Sequence, residues 1–330
     1  MRMPGEWEPH ERTIMGWPCR ELLWGDCLEF ARRDYATVAN TIARFEPVTM
    51  IANPGEQAAA ARTMLGANID VVELAIDDSW LRDTGPIYAV DDALGTRTAL
   101  HWQFNAWGEK FPPWDQDATL GARIAAELGD PVLEVPMVLE GGAILSDGHG
   151  TIITTEQCLL AVNRNPQLTR PQIEATVLTH LGAERMVWLG QGQYEDRDTD
   201  GHVDMIAALA PDGRVLLQTT PAGDVNHERG IDNAARLEQA QIGVIELGHL
   251  PRTEVAGEPV AVSYLNFYIC NGAVIVPVCG DDYDPEALAL IGRAYPDREV
   301  VGVPGAVIAY GGGGPHCITQ QVPRLGLASP

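Results

Sequence analysis

Polar clusters recur along this chain at nearly even intervals, and that recurrence restricts the fold more than any other feature. The landmarks are Asp83, Glu140, His202, Tyr264 and Cys317, spaced at roughly 60 residues. Each belongs to a block that reads as helix, strand, polar cluster and strand hairpin. Repeated small mixed units suggest radial repetition about a centre, with every polar cluster facing one axial pocket. The competing architecture is a layered α/β domain whose strand-end loops are polar. The element order lacks the steady strand–helix alternation of a doubly wound sheet. No linker or low-complexity stretch divides the chain, so a single domain built of five quasi-repeats over residues 1–330 is expected.

Local patterns support the blocks. Helical periodicity is expected over 28–45, 56–65, 117–128, 171–181, 232–241 and 285–294. Strand-like runs cover 13–17, 48–52, 71–76, 87–90, 98–105, 186–189, 205–210, 215–219 and 300–303. Asp147–Gly150 and Asn271–Gly272 read as hairpin turns. The apolar run from Val303 to Tyr310 reads as a strand. It leads into four consecutive glycines, Gly311 to Gly314, followed by Pro315, His316 and Cys317. Such a run marks a tight turn or a place where something must come close to the backbone.

Charge narrows the partners. There are 46 acidic and 22 basic residues, a net charge of −24. Nucleic acid and anionic membranes need a basic face, so neither fits. A cationic substrate does fit, because clustered carboxylates concentrate cations. Lys110 is the only lysine and sits in a proline-flanked polar loop. A mechanism that needs a buried lysine base would depend on that one residue. Six cysteines, at 19, 27, 158, 270, 279 and 317, are scattered without any Cys-x-x-Cys pair. They read as reduced thiols, and with no apolar leader or spanning segment the expected location is the cytoplasm.

Three groups of residues can carry chemistry. Cys317 becomes a strong nucleophile once its thiolate is favoured, and the glycine loop gives a reactant room to reach it; the alternative is a buried structural thiol behind a flexible turn. His202 lies in a charged cluster with Asp204 two residues on, so on a strand both would face one side. His316, next to Cys317, would point the other way and reads as structural. Asp83 can accept the forked N–H groups of a planar guanidinium, and Trp80 offers a face for the same flat cation. Arg82 would hold this loop through a carboxylate. A metal site at Asp83, His202 and Asp204 is the rival chemistry, without a His-x-x-x-His pair to support it. No phosphate-binding glycine motif is present.

With these residues in hand, the chain resembles the agmatine deiminase family of the guanidino-group-modifying (pentein) superfamily. The matching stretches are MPGEWEPHERTIMGWP at 3–18, DDSWLRDTGP at 77–86, FNAWG at 104–108, WDQD at 114–117, EGGAILSDGHGTIITTEQCLL at 140–160, DTDGHVD at 198–204 and GGGGPHCITQQVP at 311–323. The resemblance implies an α/β fold, a five-bladed propeller of ββαβ units with pseudo-fivefold symmetry. It implies Cys317 as nucleophile, His202 as general acid and base, and Asp83 and Asp204 as the guanidinium-binding pair. Trp80 would line the pocket and Glu140 would sit at its edge. Charge, rather than the resemblance, offers Glu195, Asp198 and Asp200 for a substrate amine, while Arg197 nearby would suit a carboxylate-bearing one. The resemblance implies hydrolysis of a small cationic guanidino substrate, agmatine first, through a covalent adduct. No metal or organic cofactor is required, and homo-oligomers are common in the family. The chain departs from the family pattern at Gly314–Pro315, at Met205 and over Glu109–Pro113, all near the expected pocket. Those departures bear on the tail of the substrate, where another guanidino compound, an amidinotransferase reaction or mere guanidino binding are the alternatives.

Overall fold

The computed structural model describes residues 1–326. The strands fall into six sheets, and five of these share one plan. In the unit that follows Asp83, Ile87–Asp91 and Thr96–Gln103 pair antiparallel, with Ile87 opposite Leu100. The helix Leu120–Leu128 crosses over, and Val132–Val138 returns parallel to the second strand. Leu145–Ser146, Thr151–Thr155, helix Arg170–Leu181 and Arg185–Leu189 repeat the plan. So do Ala207–Leu209, Val215–Gln218, helix His227–Gln239 and Val244–Leu247. Tyr268–Cys270, Ala273–Val278, helix Asp284–Ala294 and Glu299–Pro304 form the next.

The last unit closes the ring. Thr319–Pro323, near the end of the chain, pairs antiparallel with His10–Gly16 near its start. Val48–Ala52 and Ile69–Glu73 complete that sheet in parallel. Closure removes an unpaired sheet edge and brings Cys317 beside the first unit. The architecture is thus the five-bladed α/β propeller of ββαβ units. The sixth sheet, Arg252–Val255 with Glu258–Ala261, is a hairpin outside the repeat. No helix among the described residues is long and apolar enough to cross a membrane.

Sequence accounts for these units locally. Middle strands such as Ala273–Val278 are apolar and buried over nearly their whole length, as expected where both faces are covered. The helix Arg170–Leu181 buries Ile173, Val177 and Leu181, one stripe at helical spacing. It starts with a reciprocal cap between Thr169 and Gln172 and ends at Gly182 with φ 61°. Two expectations fail. The run Val303–Tyr310 is not one strand: a strand ends at Pro304 and a helix spans Ala306–Tyr310, because apolar content alone does not separate a short strand from a short helix. His202 and Asp204 do not share a strand face either. His202 precedes a tight 3-10 turn over Val203–Met205 and Asp204 is its middle residue.

Candidate active site

The five landmarks each lie a few residues ahead of the first strand of a unit, and four of them gather at the centre. Tyr264 does not. It is buried with its hydroxyl on Asp284 Oδ1, 2.6 Å away. Asn266 takes its place: its Oδ1 accepts from the Cys317 amide at 3.2 Å and its Nδ2 donates to the Asp204 carbonyl.

Gly142 marks the point of convergence. A Cβ there would stand 2.5 Å from His202 Nδ1, 2.9 Å from Asp204 Oδ2 and 3.1 Å from Asp83 Oδ1. Only a residue without a side chain lets these three meet. The glycine run before Cys317 has a similar cause. A Cβ on Gly313 would come within 2.8 Å of Cys317 Sγ and 2.9 Å of Trp80, while Gly312 has φ +115°. The run is a close-packed approach to the thiol.

Asp83 stands on the short helix Leu81–Thr84 just after Trp80. Its Oδ1 accepts from the Gly142 amide at 2.9 Å and its Oδ2 from Trp107 Nε1 at 2.8 Å. Trp107 is aimed by an unusual backbone. Ala106, Trp107, Gly108 and Glu109 all have positive φ, and the Asn105 side chain accepts from Gly108 N. Left-handed geometry costs each non-glycine residue about 1 kcal/mol or more, so packing must hold the FNAWG turn. Phe104 and Phe111 do so, edge-on to Trp107 with ring centroids at 5.0 and 5.7 Å.

Asp204 is pinned from the opposite side. Its Oδ2 lies 2.8 Å from His316 Nδ1 and 3.5 Å from Cys317 Sγ. His316 Nε2 reaches Glu6 Oε1, also at 2.8 Å. Arg82 is buried beneath them. It donates to Glu6 Oε1 and to the His316 carbonyl, and its amide donates to the Cys317 carbonyl. His316 is therefore structural, as its sequence position suggests. Glu6 was not singled out from the sequence. The only signal was a carboxylate in the MPGEWEP stretch, and nothing local says that it travels to residue 316.

His202 contrasts with His316. It is fully buried, neither ring nitrogen has a hydrogen-bond partner, and Nδ1 stands 3.9 Å from Asp83 Oδ2. Behind it lie Cys158 and Glu140, with one ligating atom of each of the three residues within 4.8 Å of the others. Glu140, expected at the edge of the site, is fully buried beneath it instead, and Arg164 Nε donates to its Oε1 at 2.6 Å. Among the described residues this trio has the spacing of metal ligands, but the adjoining Arg164 guanidinium works against a further cation there. In the set Asp83, His202 and Asp204 the two carboxylates are already engaged, Asp83 by Trp107 and Gly142 and Asp204 by His316.

Titration follows from this wiring. Burial pushes the Cys317 thiol well up, and the Asp204 and Asp83 carboxylates add to it. Burial opposes the proton on His202 most strongly, yet the Asp83 carboxylate, Cys158 and the Asp204 carboxylate together outweigh it and the imidazole is raised well above its ordinary range. Burial raises Asp83. Asp204 goes the other way: burial is outweighed by its bond to His316, and its pKa is lowered. These directions favour a neutral Cys317 thiol and a protonated His202 imidazole.

A pocket of about 370 Å³ leads to Cys317, lined by Trp80, Asp83, Trp107, Phe111, Asp78 and Asp198 among others. Trp80 stacks on Trp24 at 5.9 Å. No arginine or lysine lines it. Asp198 is at the exposed rim. Lys110 straps that rim, donating from Nζ to the Arg197 and Asp198 carbonyls at 2.8 and 2.9 Å and pairing with Asp200 Oδ1 at 2.7 Å. Met205 is buried next to Asp204 and also lines the neighbouring cavity. Pro315 instead turns the chain inward, its carbonyl accepting from Thr319 Oγ1.

Known proteins carry the same fold and sequence pattern. The family model for Porphyromonas-type peptidyl-arginine deiminase matches residues 2–323. An agmatine deiminase from Stutzerimonas stutzeri is 42% identical, covering 97% of this chain and 95% of its own length. One from Pseudomonas aeruginosa is 40% identical over 98% of this chain and 95% of its own. Among solved structures, the agmatine deiminase of Enterococcus faecalis superposes with TM-score 0.93 at 34% identity, covering 98% of this chain and 96% of that one. An agmatine deiminase from C. jejuni, solved with substrate bound, superposes with TM-score 0.90 at 25% identity, covering 97% and 96%.

Proposed function

The chain belongs to the Porphyromonas-type peptidyl-arginine deiminase family, together with the agmatine deiminases it is similar to, and on that premise we propose that it is a cysteine-dependent deiminase turning agmatine and water into N-carbamoylputrescine and ammonia. The observation that carries the reading is the meeting of Asp83, Asp204 and His202 at Gly142, with Cys317 Sγ 3.5 Å from Asp204. The five units then act as one catalytic domain.

A guanidinium is resonance-stabilised and a poor electrophile. Two carboxylates, Asp83 and Asp204, accept its N–H groups and fix the plane of the cation in front of the sulfur. The same cation offsets the two charges that hold the Cys317 proton, so substrate entry favours the thiolate and the thiol proton passes to solvent. Cys317 attacks the central carbon. His202, already protonated, gives its proton to the departing nitrogen, and ammonia leaves. The covalent amidino-thioether remains on Cys317. His202 then takes a proton from water as the water attacks, and the thiolate departs. Glu140 and Cys158 stand behind the ring and keep it oriented.

The tail is read from the walls. Trp80, Trp107 and Phe111 flank a short alkyl chain, and Asp198 at the rim accepts its terminal ammonium. An arginine-like substrate would bring a carboxylate toward Asp198 and Asp78 with no cation in the lining to receive it. All six cysteines are free, in keeping with a reduced, cytoplasmic enzyme. Ammonia release across a panel of guanidino compounds tests the reading, with mass spectrometry for an adduct on Cys317. Agmatine is expected to be the preferred substrate. Faster turnover of arginine, or full activity in Cys317→Ser, would overturn it.

A further inference from the structure

Beyond Asp198 the pocket does not end. A second, half-open chamber shares Asp198 and Gly312 with the first. We propose that this outer chamber binds a second ammonium, so that the site takes guanidino compounds whose chain continues past the first amine into a polyamine tail. The inference rests on the deiminase reading and extends its substrate class.

Three acceptors remain uncommitted there. Gln193 lines the chamber at 3% exposure, and its Oε1 has no hydrogen-bond partner. A buried carbonyl oxygen left without a donor calls for one, and an ammonium carries three. The Asp198 side chain makes no ion pair among the described residues, and neither does Glu258 on the edge of the Glu258–Ala261 strand. The other two acids are spent. Glu195 is held by Arg252 at 2.7 Å and by Asn226, while Asp196 accepts from Thr199 and from the His202 amide. No lysine or arginine lines the chamber. Three cations stand near these acids: Arg252 pairs with Glu195, Lys110 donates to the Asp198 carbonyl, and Arg197, between Asp196 and Asp198 in the chain, lies over the Tyr194 ring and donates to its hydroxyl.

The chemistry selects an occupant. A secondary ammonium at Asp198 replaces the primary ammonium of agmatine, and a further short alkyl step carries a terminal ammonium to Gln193 Oε1 and Glu258. An apolar tail of equal length would leave Gln193 Oε1 without its donor.

The test compares two agmatine derivatives, one bearing a 3-aminopropyl group on its amine and the other an n-propyl group. In the wild type the ratio of kcat/KM, aminopropyl over propyl, is expected to be about three- to fivefold, as for a partly solvated ion pair. It should fall toward one in Glu258→Gln and in Gln193→Met. A ratio near one in the wild type, or a ratio unchanged by both substitutions, would overturn the proposal. Glu258 is exposed, so its variant decides the matter even if Gln193→Met does not fold. The same ratio, read as Kd by calorimetry on Cys317→Ser protein, needs no turnover. An enzyme silent toward agmatine would therefore sink the deiminase reading while the Kd ratio still judged the chamber.

Discussion

The floor of the pocket and its rim are built on opposite principles. At the floor, Asp83, Asp204 and Cys317 are buried, and each is fixed by bonds from distant parts of the chain: Trp107 and Gly142, His316, Asn266. Only His202 is left without a partner. At the rim, Asp198 is exposed and its carboxylate is uncommitted, and one lysine strap holds the loops in place. A floor of this kind fixes geometry for bond making. A rim of this kind fixes affinity for a tail. Substitutions at the floor should therefore lower kcat and those at the rim should raise KM.

The largest effect tests the floor directly. Cys317→Ala removes the proposed nucleophile and is expected to lower kcat on the order of 10⁵-fold, with agmatine still bound. A loss under tenfold would end covalent catalysis at this position. His202→Asn should cost about 10²- to 10⁴-fold in kcat. Asp83→Asn should cost about 10²-fold and also shift the pH profile. In the proposed mechanism His202 works as an acid, so activity should fall as pH rises through its raised pKa. Taking away the Asp83 charge removes the largest of the contributions that raise it, so that falling limb should move to lower pH. A limb that stays in place would mean that some other group sets it.

How much of this the sequence disclosed follows the same division. Landmark spacing disclosed the five units, because each unit must bring a polar loop to the centre. It disclosed Cys317, His202, Asp83 and Asp204 because their chemistry is distinctive. It misplaced Tyr264, since spacing cannot say which residue of a cluster points inward, and the edge position that the resemblance implied for Glu140 gave way to burial against Arg164. The Glu6–Arg82–His316 network stayed hidden because it is a contact between the two ends of the chain, made only when the ring closes. Asp198 was named from charge, whereas its strap was missed: Lys110 sat in a loop that read merely as polar.

Glu6 therefore sharpens the comparison, as a support under the floor. His316 and Arg82 hold its pKa down to about 2 against burial. A carboxylate depressed in the folded state stabilises fully above its ordinary value of 4.5, and that contribution is lost as pH falls from there through about 2. Glu6→Gln should lower stability by about 3 kcal/mol at neutral pH and flatten the loss over that acid window, both read by denaturant titration. Loosening His316 also loosens Asp204, so kcat should fall roughly tenfold. An unchanged kcat would make the network a matter of stability alone.

The smallest effect belongs to the rim. Lys110 Nζ has two carbonyls and one carboxylate around it, which uses all three of its protons. It ties the loop that carries Phe111 to the loop that carries Asp198, so the aromatic wall and the amine-binding carboxylate are set relative to one another by this contact. Lys110→Met keeps the alkyl stem and removes the head. Because the pair is partly solvated, the expected cost is about 1 kcal/mol, seen as a rise of about fivefold in KM for agmatine at constant kcat. A tailless guanidine such as methylguanidine reaches only the floor and should show no change. Lys110→Arg keeps the charge, but a planar fork cannot meet three acceptors arranged around one nitrogen, so it should restore KM only in part. A fall in kcat for both substrates would break the division between floor and rim, because it would show that the strap also holds Trp107 on Asp83.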